Sequence, residues 1–185
     1  GRFLTIESSR QGDLPSNLQG VWQNRVGDDD RVPWASDYHF NVNVQMNYWP
    51  TYSANMAECA EPFIDYVNSL REPGRVTAAT YFGIPSGQGE ENGFTVHTAN
   101  NPFGWTAPGW EFSWGWSPAA LPWALQNCWE YFEYTGDMEY MEQNIYPMLK
   151  EEAKMYAGLL IDSKIPITLE DGSRSTRLVS SPAYS

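Results

Sequence analysis

Apolar residues at helical spacing constrain the fold of this chain more than any other feature of its sequence. Between Met56 and Leu70 they recur at intervals of three and four, which places them on one face of a helix. The run from Leu121 to Phe132 repeats that spacing. Helix-breaking residues predict that the first helix ends at Pro73-Gly74 and the second at Gly136. The sequence therefore favours a fold built mainly from α-helices.

A third helical stretch follows the second one directly. Asp137 is a fair N-cap for it, and Pro147 interrupts the apolar pattern further along. Because proline is tolerated in the first turn of a helix, we expect two pieces. The first piece covers residues 137–144 and the second about 146–161.

Strands are scarce in the sequence, and long aromatic loops separate the helices. The best strand candidates are Phe94–His97 and Ile165–Leu169, both too short to build a main sheet. The loops cover residues 21–38, 83–93 and 100–118. Because long loops on a helical scaffold usually carry function, we expect the functional residues there, within one mainly α domain or part of one.

The aromatic content of the chain favours a sugar as ligand. The chain holds nine Trp, eleven Tyr and eight Phe, with only 18% charged residues. A pyranose stacks its CH face on an aromatic ring, while its hydroxyl groups hydrogen-bond to Asn, His, Trp and carboxylates. A Trp-rich core explains the same composition equally well.

Charge and cysteine usage exclude several other functions. The net charge is −12 and the basic residues are scattered, so nucleic acid and anionic membrane surfaces are not expected partners. No apolar run approaches the length of a transmembrane helix. Cys59 and Cys128 lie in apolar helical patterns and form neither a disulfide framework nor a zinc motif. The chain begins at Gly1 as if cut internally, which leaves both a secreted and a cytoplasmic location open.

His39 lies in a dense polar and aromatic stretch that leads into a helical pattern. Only His39 and His97 could act as imidazole bases, and no serine-hydrolase, zinc-protease or phosphate-loop motif accompanies them. Asn41 and Asn43 are two residues apart, so in an extended or loosely wound segment both amides point the same way. Two parallel amides can hold one water or one carboxylate. The alternatives are helix capping and turn formation for each Asn, and a hydrogen-bonded structural role for each His.

A glycosidase would also need a pair of carboxylates. They lie about 5–5.5 Å apart in retaining enzymes and about 6.5–9.5 Å apart in inverting ones. Asp37, Glu58, Glu61 and Glu111 are candidates by location only, and a solvated surface explains most of them. Four indoles accompany Glu111 in the loop from residue 97 to residue 116, where a collapsed aromatic plug is the alternative.

Several blocks of the sequence together resemble one known family. They are residues 14–22 (LPSNLQGVW), Trp34, residues 37–39 (DYH), residues 41–50 (NVNVQMNYWP) and Glu58-Cys59. Residues 97–108, 114–118 (WGWSP) and 134–137 (YTGD) agree with the same family. The chain resembles glycoside hydrolase family 95, the inverting α-L-fucosidases, over nearly all of its length.

This resemblance implies both a fold and a reaction. The fold is an (α/α)6 toroid of helix pairs, of which residues 1–185 would be the N-terminal part. The reaction is hydrolysis of terminal α-L-fucose, α1,2-linked, from oligosaccharides or glycans, with inversion and without a metal or cofactor. The catalytic Glu and Asp of the family would lie beyond Ser185, so we expect the isolated 185 residues to be inactive and prone to aggregation.

The resemblance also assigns residues. Asn41 and Asn43 would hold the attacking water and the catalytic base, and His39 would contact the sugar. Further substrate contacts are expected from the following residues: Trp34, His97, Asn100, Trp105 and Trp116. The sequence departs from the commoner family form at residues 100–103, where it reads NNPF instead of an acidic residue followed by Trp.

Two other functions stay open at this point. One is the same fold acting on α-L-galactose, because L-galactose differs from L-fucose only by a hydroxyl group on C6. The other is a non-catalytic sugar-binding or structural helical module. His39 favours fucose, since by the resemblance its size and hydrogen bonding suit that sugar.

Overall fold

The computed structural model describes residues 1–22, 36–85, 92–109 and 115–180. In these ranges the chain is mainly helical, as predicted, and two small antiparallel ladders follow the helices. No helix in the described ranges is both long and apolar enough to span a membrane. The full toroid implied by the resemblance stays a prediction.

In the described ranges the helices come first in the chain and the strands follow the last helix. In chain order they are α1 (Arg2–Ser8), α2 (Asn43–Ser53), α3 (Glu61–Ser69), α4 (Arg71–Phe82), α5 (Ala120–Thr135), α6 (Met138–Tyr140) and α7 (Tyr146–Leu159). A 3-10 turn at Ala57–Ala60 precedes α3, and a π-helical turn at Met141–Ile145 joins α6 to α7. Only Leu70 separates α3 from α4, and α6, the π-helical turn and α7 follow one another without a loop.

The strands lie after the last helix. They are β1 (Leu160–Asp162), β2 (Ile167–Thr168), β3 (Arg174–Ser175) and β4 (Leu178–Ser180). Strand β1 pairs antiparallel with β4, with Leu160 opposite Ser180, and β2 pairs antiparallel with β3. Strand β2 confirms part of the strand predicted at Ile165–Leu169.

The strand predicted at Phe94–His97 is wrong. These residues belong to no sheet in the described part of the chain. Their backbone bonds elsewhere: the Thr95 N–H donates to the carbonyl of Gly74 on α4, and the His97 N–H donates to the carbonyl of Thr106. The segment is therefore held by a helix and a loop instead of by a neighbouring strand.

The first predicted helix end is also wrong. Helix α3 ends at Ser69, and α4 begins at Arg71 and runs through Pro73-Gly74. Pro73 falls in the first turn of α4, where a missing N–H breaks no helical hydrogen bond. A Cβ at Gly74 would lie 2.9 Å from the Thr95 carbonyl oxygen. Glycine here allows the segment at residues 94–97 to approach the helix and does not end the helix.

The second predicted helix end is confirmed. Gly136 follows α5 in the left-handed conformation (φ +68°), and the Asp137 side chain accepts a hydrogen bond from the Tyr140 N–H at 2.9 Å. Pro147 lies in the first turn of α7, as expected. The helix ends at Leu159, because Leu160 already takes the extended conformation of β1.

The core lies between α2, α3, α5 and the π-helical turn. The Tyr48 and Phe63 rings stack with their centroids 4.8 Å apart, and α5 contributes Leu121, Leu125 and Cys128. Both cysteines are buried free thiols, as predicted. Tryptophan contributes little to the core, since Trp116 is the one buried Trp among the residues that the structure describes. The buried aromatic residues of the described ranges are therefore mainly Tyr and Phe, and the core there is not rich in Trp.

An ion cluster joins α4 to α7. The Glu151 carboxylate accepts hydrogen bonds from Arg71 (2.5 Å) and from Arg75 (2.5 and 2.9 Å). Burial alone would raise the pKa of Glu151, but the hydrogen bonds from both guanidinium groups lower it below its usual value. This carboxylate is therefore ionised and paired.

The neighbouring Glu152 has the opposite environment. It is buried in a groove between α5 and α7, beside Leu125 and Trp129. Neither of its carboxylate oxygens has a hydrogen-bond partner within the described ranges, and burial raises its pKa well above the usual value. Ionising Glu152 in the folded protein is therefore unfavourable.

We predict that Glu152→Gln makes the folded protein more stable at neutral pH, by at least about 1 kcal/mol. A raised folded-state pKa means that the folded state holds the proton to higher pH than the unfolded state does. Stability should therefore fall as the pH rises above the unfolded-state pKa, until the folded-state pKa is passed. The Glu152→Gln variant should lack that fall.

Denaturant titrations of both proteins from pH 4 to pH 9 measure this difference. Glu142→Gln, at an exposed carboxylate of the π-helical turn, serves as the matched control and should leave the pH profile unchanged. If the profile of Glu152→Gln ran parallel to that of the parent, the folded-state pKa of Glu152 would not be raised above its unfolded-state value.

Candidate active site

The segment from Asp37 to Asn41 alternates between the core and the surface. Tyr38 is 6% exposed and Phe40 is fully buried, whereas Asp37 and His39 are half-buried and Asn41 is exposed. Residues 37–39 have no regular secondary structure, and residues 40–42 form the turn that precedes the next helix. The accessible side chains of the segment are therefore the three polar ones, and we call Asp37, His39 and Asn41 the polar row.

Backbone hydrogen bonds fix this segment against a distant loop. The Tyr38 N–H donates to the carbonyl of Asn100 at 2.9 Å, and the Phe40 N–H donates to the carbonyl of Thr98 at 2.7 Å. On the other side, the Leu18 N–H donates to the carbonyl of Asp37 at 3.0 Å. The backbone that carries the polar row is therefore fixed by hydrogen bonds on both sides.

Val42 ends this segment with an unusual conformation. Its φ is +74° and its ψ is −33°, a positive-φ combination that β-branched residues rarely adopt. Helix α2 begins at the next residue, and the Val44 N–H donates back to the His39 carbonyl at 3.1 Å. The chain therefore reverses direction between Asn41 and Asn43 at a strained residue.

Asn41 and Asn43 flank this strained residue. Neither side-chain amide hydrogen-bonds to any group that the structure describes, and α2 has no side-chain capping bond at its start. The helix-capping interpretation of these two residues is therefore wrong. Toward the described residues, each amide therefore keeps its donors and its acceptor for a water, a carboxylate or a ligand.

His39 contacts Asp37 within the polar row. Its Nδ1 lies 3.0 Å from the Asp37 Oδ2, and both side chains are about one-sixth exposed (15% and 17%). Because a carboxylate only accepts hydrogen bonds, the imidazole donates through Nδ1–H. Of the three candidate carboxylates that lie within the described residues, Asp37 is the one that is hydrogen-bonded to a predicted site residue.

Asn100 holds the backbone of the site. The side chain is buried, its Nδ2 donates to the Tyr38 carbonyl at 2.7 Å, and its Oδ1 accepts from the Tyr66 hydroxyl at 2.6 Å. These bonds fasten the loop at residues 98–100 to the segment at residues 37–41. The role of Asn100 as a sugar contact stays a prediction, and the structure gives it a positioning role as well.

His97 belongs to a buried aromatic layer behind the site. It lies between Phe82 and Trp116, with ring centroids 6.1 Å and 5.4 Å away. Its Nδ1 contacts the Thr106 carbonyl at 3.0 Å. Burial lowers the pKa of His97 to about 4, against the raising effect of that hydrogen bond. The imidazole is therefore neutral near pH 7. A neutral His97 suits a residue that lines the site better than a residue that transfers a proton.

The remaining predicted site residues differ in their surroundings. Trp105 is 48% exposed, and Trp116 is buried against Phe82, at a centroid distance of 4.9 Å. Trp34 and Glu111 lie outside the described residues. The contacts of each with a sugar stay predictions.

Other candidate carboxylates lie away from the polar row. Glu61 accepts a hydrogen bond from the Tyr131 hydroxyl at 3.1 Å and is part of the contact between α3 and α5. Glu58 lies in the 3-10 turn that precedes α3. The sequence did not indicate Val42 or Tyr66 as residues of the site. No sequence signal marks a valine with positive φ, and Tyr66 belongs to none of the motifs singled out in the sequence.

The model of the glycosyl hydrolase family 95 catalytic domain matches residues 1–185. The chain belongs to glycoside hydrolase family 95. Over all 185 residues it is 35% identical to "Alpha-L-fucosidase 2" of Arabidopsis thaliana and 32% identical to "Probable alpha-fucosidase A" of Aspergillus niger. A further relative, "Probable alpha-fucosidase A" of Aspergillus oryzae, is 36% identical over 107 residues, which are 57% of this chain and 13% of the relative.

The chain spans about a fifth of the length of the two relatives that it matches throughout, 20% and 22%. Because the family model matches residues 1–185, the family resemblance predicted from the sequence blocks is confirmed over the whole chain. In this family 95 chain, the candidate site consists of the polar row and of the Asn41 and Asn43 amides, which hydrogen-bond to no described group.

We predict that Val42→Gly is more stable than Val42→Ala, by about 1 kcal/mol. Both variants lose nearly the same side-chain contacts, but only glycine adopts a positive φ without strain, and a sparsely populated backbone conformation costs other residues about 1–3 kcal/mol. In the interior of a helix or strand, by contrast, the glycine variant is less stable than the alanine variant. Free energies of unfolding from denaturant titration measure the difference.

Val76 provides the matched control, because it is an exposed valine inside α4. There Val76→Gly should be less stable than Val76→Ala by about 0.5–1 kcal/mol. The same order at Val42 would mean that the backbone at Val42 is not strained.

Proposed function

We propose that residues 1–185 are the N-terminal part of the (α/α)6 catalytic domain of an inverting α-L-fucosidase. The proposed substrate is terminal α1,2-linked α-L-fucose on an oligosaccharide or glycan. The observation that carries this proposal is the open pair Asn41 and Asn43, beside His39, in a chain that family 95 matches throughout. The family match also favours an enzyme over a non-catalytic sugar-binding module.

Inversion needs an acid, a base and one attacking water. The acid protonates the leaving oxygen while the base activates a water on the opposite face of the sugar, with the two carboxyl groups about 6.5–9.5 Å apart. By the family resemblance, both carboxylates come from residues beyond Ser185. The two proton transfers need no metal or cofactor.

Asn41 and Asn43 are proposed to hold the water and to orient the base. Each amide offers a carbonyl acceptor and an NH2 donor, so that together they can fix both the position and the orientation of one water. Neither amide can take up the proton, which goes to the carboxylate base. Their contribution is therefore positioning, and it lowers the barrier only while the geometry is kept.

The other residues are proposed to bind the sugar. His39 lies in the same polar row as Asn41 and is expected to contact the fucose. Trp105 is exposed enough to stack on a sugar face. His97 and Trp116 belong to the aromatic layer, where a neutral imidazole can accept or donate hydrogen bonds without a charge.

We predict that Asn41→Ala combined with Asn43→Ala lowers kcat about a hundredfold or more in the whole enzyme. KM should change far less, because the two amides hold the water and not the substrate. Initial rates of fucose release from a fucosyl oligosaccharide measure both constants.

Asn144→Ala is the matched control, at an amide in the π-helical turn whose Nδ2 donates to the Tyr140 carbonyl. It should keep the turnover of the parent. Near-normal turnover in the Asn41 and Asn43 double variant would show that the two amides do not position the water.

We predict that the enzyme prefers α-L-fucosides to α-L-galactosides, by up to about a hundredfold in kcat/KM. A pocket shaped around the C6 methyl group rejects an added hydroxyl only modestly. A comparison of matched aryl glycosides tests the choice. A tenfold preference for the galactoside would make the protein an α-L-galactosidase instead.

A further inference from the structure

We propose that Asp37 is a positioning residue of the sugar site, which holds the His39 imidazole in one tautomer and one orientation. The inference rests on the proposed function, because His39 is assigned there as a sugar contact. Asp37 itself touches no substrate in this proposal. It acts on the reaction through His39 alone.

The backbone around Tyr38 places the Asp37 and His39 side chains next to each other. Asp37 and His39 flank Tyr38 in the chain, and both side chains are partly accessible. Tyr38, between them, is fixed in the core, and its N–H and its carbonyl are both bonded to Asn100. The separation of 3.0 Å between Nδ1 and Oδ2 is therefore set by the fold and not by two freely rotating side chains.

The carboxylate of Asp37 is not engaged by other described groups. Its Oδ1 is buried and meets no hydrogen-bond donor among the residues that the structure describes, while Oδ2 accepts from His39. The side chain therefore does not serve as a turn or helix cap. Its one described hydrogen bond is the bond to the imidazole.

This contact decides the hydrogen-bonding character of His39. A neutral imidazole carries its proton on one nitrogen and a lone pair on the other. Because the carboxylate only accepts, it keeps the proton on Nδ1, which makes Nε2 the acceptor. Both side chains are mostly buried, where a hydrogen bond is stronger than in water. An Nε2 acceptor suits a sugar hydroxyl, which donates.

Asp37→Asn tests this role in the whole enzyme with little change in shape. An amide at this position can accept from Nδ1–H through its oxygen or donate to Nδ1 through its NH2, so it no longer enforces one tautomer. We expect kcat/KM on an aryl α-L-fucoside to fall about tenfold or more, mainly through a higher KM. Asp37→Glu, which keeps a carboxylate, should recover part of the loss, and Asp13→Asn, at an exposed aspartate, should show none.

A double-mutant cycle separates positioning from a general effect on the fold. In a His39→Gln background, Asp37→Asn should change kcat/KM by less than about twofold, because the imidazole through which Asp37 acts is gone. An Asp37→Asn effect of the same size in both backgrounds would overturn the proposal. So would an Asp37→Asn variant with the constants of the parent enzyme.

A spectroscopic measurement keeps this inference distinct from the proposed function. Nitrogen NMR of histidine-labelled protein reports the tautomer directly, and the His39 signals are those missing from His39→Gln. The inference expects a protonated Nδ1 in the parent and a tautomer mixture in Asp37→Asn. A parent with its proton on Nε2 would overturn the inference even if the enzyme releases fucose. Absence of fucose release with the Nδ1 tautomer present would instead contradict the proposed function alone.

Discussion

Two hydrogen-bonded contacts between distant parts of the chain organise the candidate site. The Tyr38 and Phe40 N–H groups bond to the carbonyls of Asn100 and Thr98, and the Asn100 side chain closes the connection. Because the backbone is held there, the buried Tyr38 and Phe40 side chains keep a fixed separation from the polar residues that flank them. The placement of Asp37, His39 and Asn41 as accessible side chains follows from this attachment.

The energies of burial and strain explain how the segment can end at Val42. Burying Tyr38 and Phe40 stabilises the fold by about 1.5–3 kcal/mol for each large side chain. The strained positive-φ backbone of Val42 costs about 1–3 kcal/mol. Burial is therefore large enough to hold the strained turn, and the helix that follows begins at Asn43, two residues after Asn41. Strain at such a position is typical of functional sites, where geometry is kept at the expense of stability.

The parts of the fold that depend on local chemistry could be predicted from the sequence. Gly136 and Asp137 mark a helix end and a helix start because a left-handed glycine and an N-cap act within a few residues. Pro73 could not be placed the same way. A proline ends one helix or opens the next, and which of these occurs depends on the packing of residues 94–97 against Gly74.

The candidate site shows the same limit. The spacing of Asn41 and Asn43 suggested a shared role, and the structure leaves both amides without described protein partners. The bonds of Asn100 to Tyr38 and Tyr66 join residues 34 to 62 positions apart, which no local pattern reveals. The positive φ of Val42 is likewise imposed by tertiary structure. Trp34, which the resemblance assigns to the site, lies outside the described residues.

A crystal structure of the whole enzyme with bound L-fucose tests the central claim most directly. The claim is that the polar row and the asparagine pair form one wall of the sugar pocket. The account predicts a sugar hydroxyl within hydrogen-bond distance of the His39 imidazole and one ordered water shared by the Asn41 and Asn43 amides. Fucose bound elsewhere, with these three side chains out of contact with both sugar and water, would contradict it.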